Sequence, residues 1–146
     1  MGDQINLDYV ASQHAHKIVD NVNKTGADMK TLYNLATKAL GVLQEQGVYA
    51  MVLFLLSRSK EEKNVSKSIC SSLYRVLEEI PGFEKRITVP SEKMEANEIL
   101  KCYSNITNDL DMLLLVRVLY EKILVYTRYG AKAVEKENEP AKGGEK

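Results

Sequence analysis

The chain has no tryptophan, only three prolines and two cysteines, and no excess charge of either sign, its 20 basic residues being matched by 20 acidic ones. The balanced charge argues against a free-standing, strongly basic nucleic-acid binder, while leaving room for a local basic face. Cys70 and Cys102 form no CxxC pair. We read them as small core residues in a reducing compartment, with nothing to support a disulfide between them. Long apolar runs are also missing. Val48 to Leu56 is far too short to span a bilayer, and Leu113 to Val116 sits between Asp111 and Arg117. The polar opening MGDQIN lacks a signal pattern, and Asn6 stands where a myristoylation motif needs Ser or Thr. A cytoplasmic location without membrane attachment is the expectation.

Catalytic and metal-binding patterns are scarce too. His14 and His16 are two apart, so on a helix they point in different directions and share no metal. We read both as solvated or capping. Asp109 and Asp111 look like a carboxylate pair only on paper, because a helix N-terminus accounts for both. Gly41 and Gly47 stand alone, with no GK[ST] after them, so no phosphate loop is present. No GxSxG or Cys/His nucleophile arrangement occurs. The expectation is a protein without catalytic residues, metal site or cofactor.

What the chain does have is helical periodicity. At 146 residues and 45% hydrophobic, it suits one domain with one core. Val10, Ala11, Ala15, Ile18, Val19 and Val22 recur at steps of three and four, predicting a helix over Leu7 to Asn23 capped by Asn6 or Asp8. Asp28 is placed to cap a second helix, Met29 to Glu45, with Leu32, Leu35, Ala36, Ala39 and Leu43 on one face. Gly47 marks a bend into the run VYAMVLFLLS. Apolar nearly all round, that run reads as a helix at the centre of a bundle; a strand is the rival, but no partner strand is visible.

A fourth helix is expected over Val65 to Ile80, ended by Pro81-Gly82. Phe83 to Pro90 reads as a linker, with Ile87 and Val89 against the bundle. A fifth helix follows over Glu92 to Ser104. The last helix, capped by Thr107 or Asn108, runs to about Val134 with Leu110, Leu114, Leu115 and Leu124 widening its apolar face. The prediction is an all-α fold: a single compact bundle of five to seven helices over residues 1–134, then a disordered C-terminal tail over 135–146.

Cations are spread over several helices. They are densest at Arg58, Lys60, Lys63 and Lys67, next to Glu61 and Glu62. Such a cluster is either a solvated charge run or a patch that touches nucleic-acid phosphates without reading bases. Most of the tyrosines fall near apolar stripes and read as core or interface residues.

Two stretches together carry a family resemblance. The first is Lys38-x-x-Gly41, then Leu43, Gly47-Val48 and an apolar run ending Phe54-Leu55-x-Ser57-Arg58. The second is Tyr103, Thr107 and a long helix with Arg117 and a Tyr126-x-x-Tyr129-Gly130-Ala131 ending. Over residues 8–134 the chain resembles the small subunit of the type III-B CRISPR Cmr effector, a RAMP-module ribonucleoprotein of antiviral defence. That family often has a tryptophan in its last helix, where this chain has Leu119 or Tyr120.

The resemblance implies a non-catalytic subunit that stacks with copies of itself into a short filament. Its other partners would be RAMP-fold backbone subunits and the large palm-domain subunit, and the filament would help form the groove where target RNA pairs with CRISPR RNA. Candidate RNA-binding residues are Lys38, Arg58, Lys60, Lys63 and Lys67. Two alternatives stand beside this reading: a protein-only helical adaptor docking through its last helix, and the small subunit of a related type III-A effector.

Overall fold

The computed structural model describes residues 5–138. Seven helices follow one another, with no strand among the described residues: α1 (Leu7–Lys24), α2 (Met29–Gln46), α3 (Val48–Leu56), α4 (Lys60–Leu77), α5 (Phe83–Arg86), α6 (Ala96–Thr107) and α7 (Leu110–Asn138). The first two start where their caps dictate. Asn6 Oδ1 accepts from the Tyr9 amide at 3.0 Å, and Asp28 Oδ1 from the Lys30 amide at 3.2 Å. Each bond satisfies a donor that the helix itself leaves free.

The long α7 is the spine. Its principal neighbours are α2 and α1. It runs antiparallel to α2, because Arg117 meets the Gln44 carbonyl while Arg128 meets Thr37. It runs parallel to α1: Lys122 and Tyr126 bond Asp8 at one end, and Asn138 bonds Asn23 at the other. The Lys122 hydrogen bond, then that of Tyr126, holds the Asp8 carboxyl below its ordinary range. Gly130 lets α1 and α7 approach, since a Cβ there would lie 3.1 Å from Val19 Cγ2.

Gly47 separates α2 from α3 with φ +99° and ψ −178°, a conformation open essentially only to glycine. The apolar α3 does not sit at the bundle centre as expected. Val48, Met51, Val52 and Leu55 are buried against α2 and α6, but Leu53 is 43% exposed. A nine-residue helix has one packed face here, and its apolar excess is partly covered by Arg58, whose guanidinium lies over the Phe54 ring.

Three boundaries depart from expectation. Helix α4 begins at Lys60, not Val65, so most of the charged run is helical. Apolar periodicity is blind to a first turn made wholly of charged and polar residues; Glu61 and Glu62 there suit the helix dipole. The expected linker contains α5, and its Phe83, Ile87 and Pro90 are buried. Helix α6 starts at Ala96, where Glu95 and Glu98 form a reciprocal capping box.

The tail is also shorter than expected. Helix α7 continues through Asn138, so residues 135–138 belong to the bundle; Glu, Lys and Glu prolong a helix at little cost. The rest of the expected tail, 139–146, lies outside the described residues. The cap of α7 is Asp109, whose Oδ1 accepts from the Met112 amide at 3.3 Å and pairs with Arg86 at 2.5 Å.

His14 corrects another expectation. It is 2% exposed rather than solvated, and its Nε2 lies 2.5 Å from Glu79 Oε2, joining α1 to the turn after α4. Cys70 and Cys102 are free and buried. No helix of the described residues is long and apolar enough to cross a membrane.

Candidate nucleic-acid interface

Helix α4 turns Val65, Ile69, Leu73, Val76 and Leu77 inward. The same 3.6-residue period brings Lys60, Lys63, Lys67, Ser71 and Arg75 to its outer side. Beside it, α1 presents Lys17, Asn21 and Lys24, one and two turns apart on its own outer face. Between α1, α4 and the segment leading into α6 lies an open groove of about 940 Å³. Its walls include six cations, Lys17, Lys24, Arg58, Lys63, Lys67 and Arg75, against two carboxylates, Asp20 and Glu92. Ser68 and Ser71 add hydroxyls, and Asn21 Nδ2 donates to Ser68 Oγ at 2.9 Å to join the two helices.

The five sequence-predicted residues do not act as one set. Lys63 and Lys67 line the groove, are exposed, and make no ion pair among the described residues. Lys60 is exposed one turn earlier, off the groove wall. Arg58 lines the groove but is committed elsewhere. Its Nε donates to the Phe54 carbonyl at 2.9 Å, its Nη1 lies 3.4 Å from Glu62, and its guanidinium stacks 3.8 Å over the Phe54 ring. Arg58 thus closes the end of α3 and covers the ring that α3 leaves half-exposed. Lys38, on α2, reaches the same Glu62 at 3.8 Å and does not line the groove. Glu62 therefore draws Lys38 and Arg58 together.

Lys17, Lys24 and Arg75 enter the groove although sequence reasoning set them apart from the densest cluster. The Lys17–Asn21–Lys24 stripe is legible as a helix face; its place beside α4 is a tertiary fact. Lys24 pairs with Asp20 at 3.2 Å and Arg75 with Glu92 at 3.6 Å. These exposed pairs are worth well under about 1 kcal/mol each and exchange readily for a stronger anion. Ser71 also bonds Glu92. The cations without a carboxylate partner in the groove are Lys17, Lys63 and Lys67, considering the described residues.

The groove's floor is chemically quiet. The Cys70 thiol is buried, and burial pushes its pKa up to about 11, so it is protonated and weakly nucleophilic at neutral pH. Tyr74 is raised as well, by burial first. No group of three or more His, Cys, Asp or Glu side chains among the described residues is placed to hold a metal ion. The arrangement can bind an extended anion through ammonium groups and hydroxyls, the donors that position a sugar-phosphate backbone without reading bases.

A different surface lies at the start of α7. Leu110, Leu114 and Val118, one turn apart, are 66%, 55% and 41% exposed. Leu115 is half-buried and Leu124 fully buried, so the exposed apolar face is narrower than the sequence pattern. A comparison of the chain with protein-family models, curated proteins and solved structures returns no match.

Proposed function

We propose that this protein is a non-catalytic helical module that holds the phosphate backbone of single-stranded RNA along α4. We further propose that it works as the small subunit of a type III-B CRISPR ribonucleoprotein, as its sequence resemblance suggests. The observation that carries the RNA reading is charge segregation. A chain with 20 basic and 20 acidic residues gathers six cations and two carboxylates along one groove. Three of those cations, Lys17, Lys63 and Lys67, have no carboxylate partner among the described residues. Neutralising about three phosphates gives weak binding by one copy, of the order of 10 to 100 µM at physiological salt. Several tethered copies in an assembly multiply that affinity without new contacts.

The test is fluorescence anisotropy of a labelled oligouridylate with the wild type and Lys63→Ala/Lys67→Ala. Both side chains are exposed, so the fold stays intact. Losing two phosphate contacts should flatten the slope of log affinity against log salt by about 1.4. An unchanged affinity and slope would remove the groove from the account. For the cellular setting, the encoding gene should lie among genes for RAMP-fold subunits beside a CRISPR array; an isolated gene would sink that part.

A second reading, a protein-only adaptor, is favoured by the exposed Leu110–Leu114–Val118 stripe. It predicts that Leu114→Glu abolishes partner capture and that the wild type shows no RNA affinity in the anisotropy assay.

A further inference from the structure

The chain has five arginines. Four have a carboxylate within 4 Å: Arg58 with Glu62, Arg75 with Glu92, Arg86 with Asp109 and Arg117 with Glu121. Arg128 has none among the described residues. It sits at the seam between α2 and α7, apart from the α4 groove. Its Nε donates to Thr37 Oγ1 at 2.9 Å and its Nη2 to the Tyr33 hydroxyl at 3.1 Å. The guanidinium carbon is 5.2 Å from the Tyr33 ring centre and 5.9 Å from that of Tyr129. One turn on, Lys132 Nζ lies 4.9 Å from the Tyr33 ring, also without a carboxylate partner among the described residues.

A purely structural role explains part of this. Arg128 ties α2 to α7 through two hydrogen bonds. Neutral acceptors nevertheless leave its charge uncompensated among the described residues, where the Nη1 donors plus one N–H of Nη2 have no partner. The guanidinium is held rigid and oriented, which lowers the entropy lost when it meets a ligand. Tyr129, beside it, is 66% exposed, so much of its ring is open to solvent. Two cations fixed on tyrosine rings, with an open aromatic surface next to them, suit a ligand that joins an anion to a flat ring.

We infer that the α2–α7 seam is a second binding site for single-stranded nucleic acid, in which Arg128 and Lys132 take a backbone phosphate and an unpaired base stacks on Tyr129. The choice of ligand class rests on the proposed RNA-binding role, but no residue is shared with the groove. Base–aromatic stacking tolerates any sequence and adds to backbone electrostatics. Lys38, the residue after Thr37 on α2, meets Arg58 of the groove at Glu62.

The experiment uses the full chain and the labelled oligouridylate, with Tyr129→Ala, Tyr129→Phe and Lys132→Ala beside the groove variant Lys63→Ala/Lys67→Ala. Thermal melting serves as the fold control, and Arg128 is left in place because of its structural bonds. Tyr129→Ala should weaken binding about fivefold or more, while Tyr129→Phe keeps the affinity. Lys132→Ala should flatten the salt slope by about 0.7. An oligomer carrying 4-thiouridine should crosslink to the α7 peptide that contains Tyr129. If only the groove variant loses affinity and no crosslink forms on α7, the seam is not a site and the groove stands. If only the seam variants lose affinity, the seam stands and the groove falls. Absence of binding by the wild type overturns both.

Discussion

Replacing Tyr120 with phenylalanine removes one oxygen from the centre of the core. The Tyr120 hydroxyl donates to the Leu73 carbonyl at 2.8 Å and lies 2.7 Å from the Tyr103 hydroxyl. Its single proton is committed to Leu73, so Tyr103 is the donor in the second bond. Both rings are fully buried. Tyr120→Phe therefore strands the Tyr103 proton in a site closed to bulk solvent, at about 1–3 kcal/mol, and loses a bond worth about 1 kcal/mol. Tyr103→Phe leaves Tyr120 bonded to Leu73 and costs only about 1 kcal/mol. In the double variant no donor is stranded, so its cost should fall short of the sum by about 1–3 kcal/mol. At about 3 °C per kcal/mol for a chain of this size, Tyr120→Phe should lower Tm by about 6–12 °C and Tyr103→Phe by about 3 °C. Urea unfolding followed by circular dichroism, with the m-value unchanged, measures all three variants. Equal costs for the two single variants, or a larger cost for Tyr103→Phe, would refute the assigned direction of the bond.

Gly47→Ala should cost about 1–3 kcal/mol in the same assay. Nothing lies within 4 Å of the added Cβ, so the penalty is backbone strain, and Gly47→Asn should give no rescue because φ +99° with ψ −178° is not the left-handed helical region. Leu43→Ala, at a site with 0% exposure, should cost about 2–5 kcal/mol, while Leu114→Ala, at 55%, should stay within about 0.5 kcal/mol of wild type. For Cys70 the folded-state pKa is raised from 9.0 to about 11. Its contribution is therefore complete below pH 9 and is lost toward pH 11, at roughly 1 kcal/mol per pH unit. Tyr74, Tyr103 and Tyr120, raised above their ordinary value of 10.0 by burial, add to the same decline in both proteins, so Cys70→Ala should make the decline between pH 9 and 10 shallower without abolishing it; an identical decline in the variant would contradict the assignment.

Much of the fold is legible in the residues themselves. Asn6 and Asp28 announce two helix starts, the step of three and four in α1 and α2 names their buried faces, and Gly47 announces the bend. These are local signals, and local physics decides them. What escapes is tertiary or lacks apolar residues. The first turn of α4 carries no apolar residue until Val65, so periodicity had nothing to register. The burial of His14 depends on Glu79, 65 positions away. The uniform apolarity of α3 suggested a central helix, yet Arg58 covers its Phe54 edge and Leu53 stays exposed.

The candidate site divides in the same way. The stripe of Lys63 and Lys67 follows from helical spacing. The union of that stripe with Lys17 and Lys24, and the diversion of Lys38 and Arg58 to Glu62, require the packing of α1 and α2 against α4. Tyr129 and Arg128 are neighbours in sequence, but their joint setting against Tyr33 and Thr37 exists only once α2 and α7 pair.

The most direct test of the central claim is residue-resolved. Titrating single-stranded RNA into the isotopically labelled protein and following backbone amide resonances reports which helix meets the strand. The account predicts one set of shifts on α4 from Lys63 to Arg75 and on Lys17 to Lys24 of α1, and a second set at the seam around Arg128 to Lys132 of α7, both fading as salt is raised. Shifts absent from α4 throughout the titration, or confined to the Leu110–Leu114–Val118 face of α7, would contradict it.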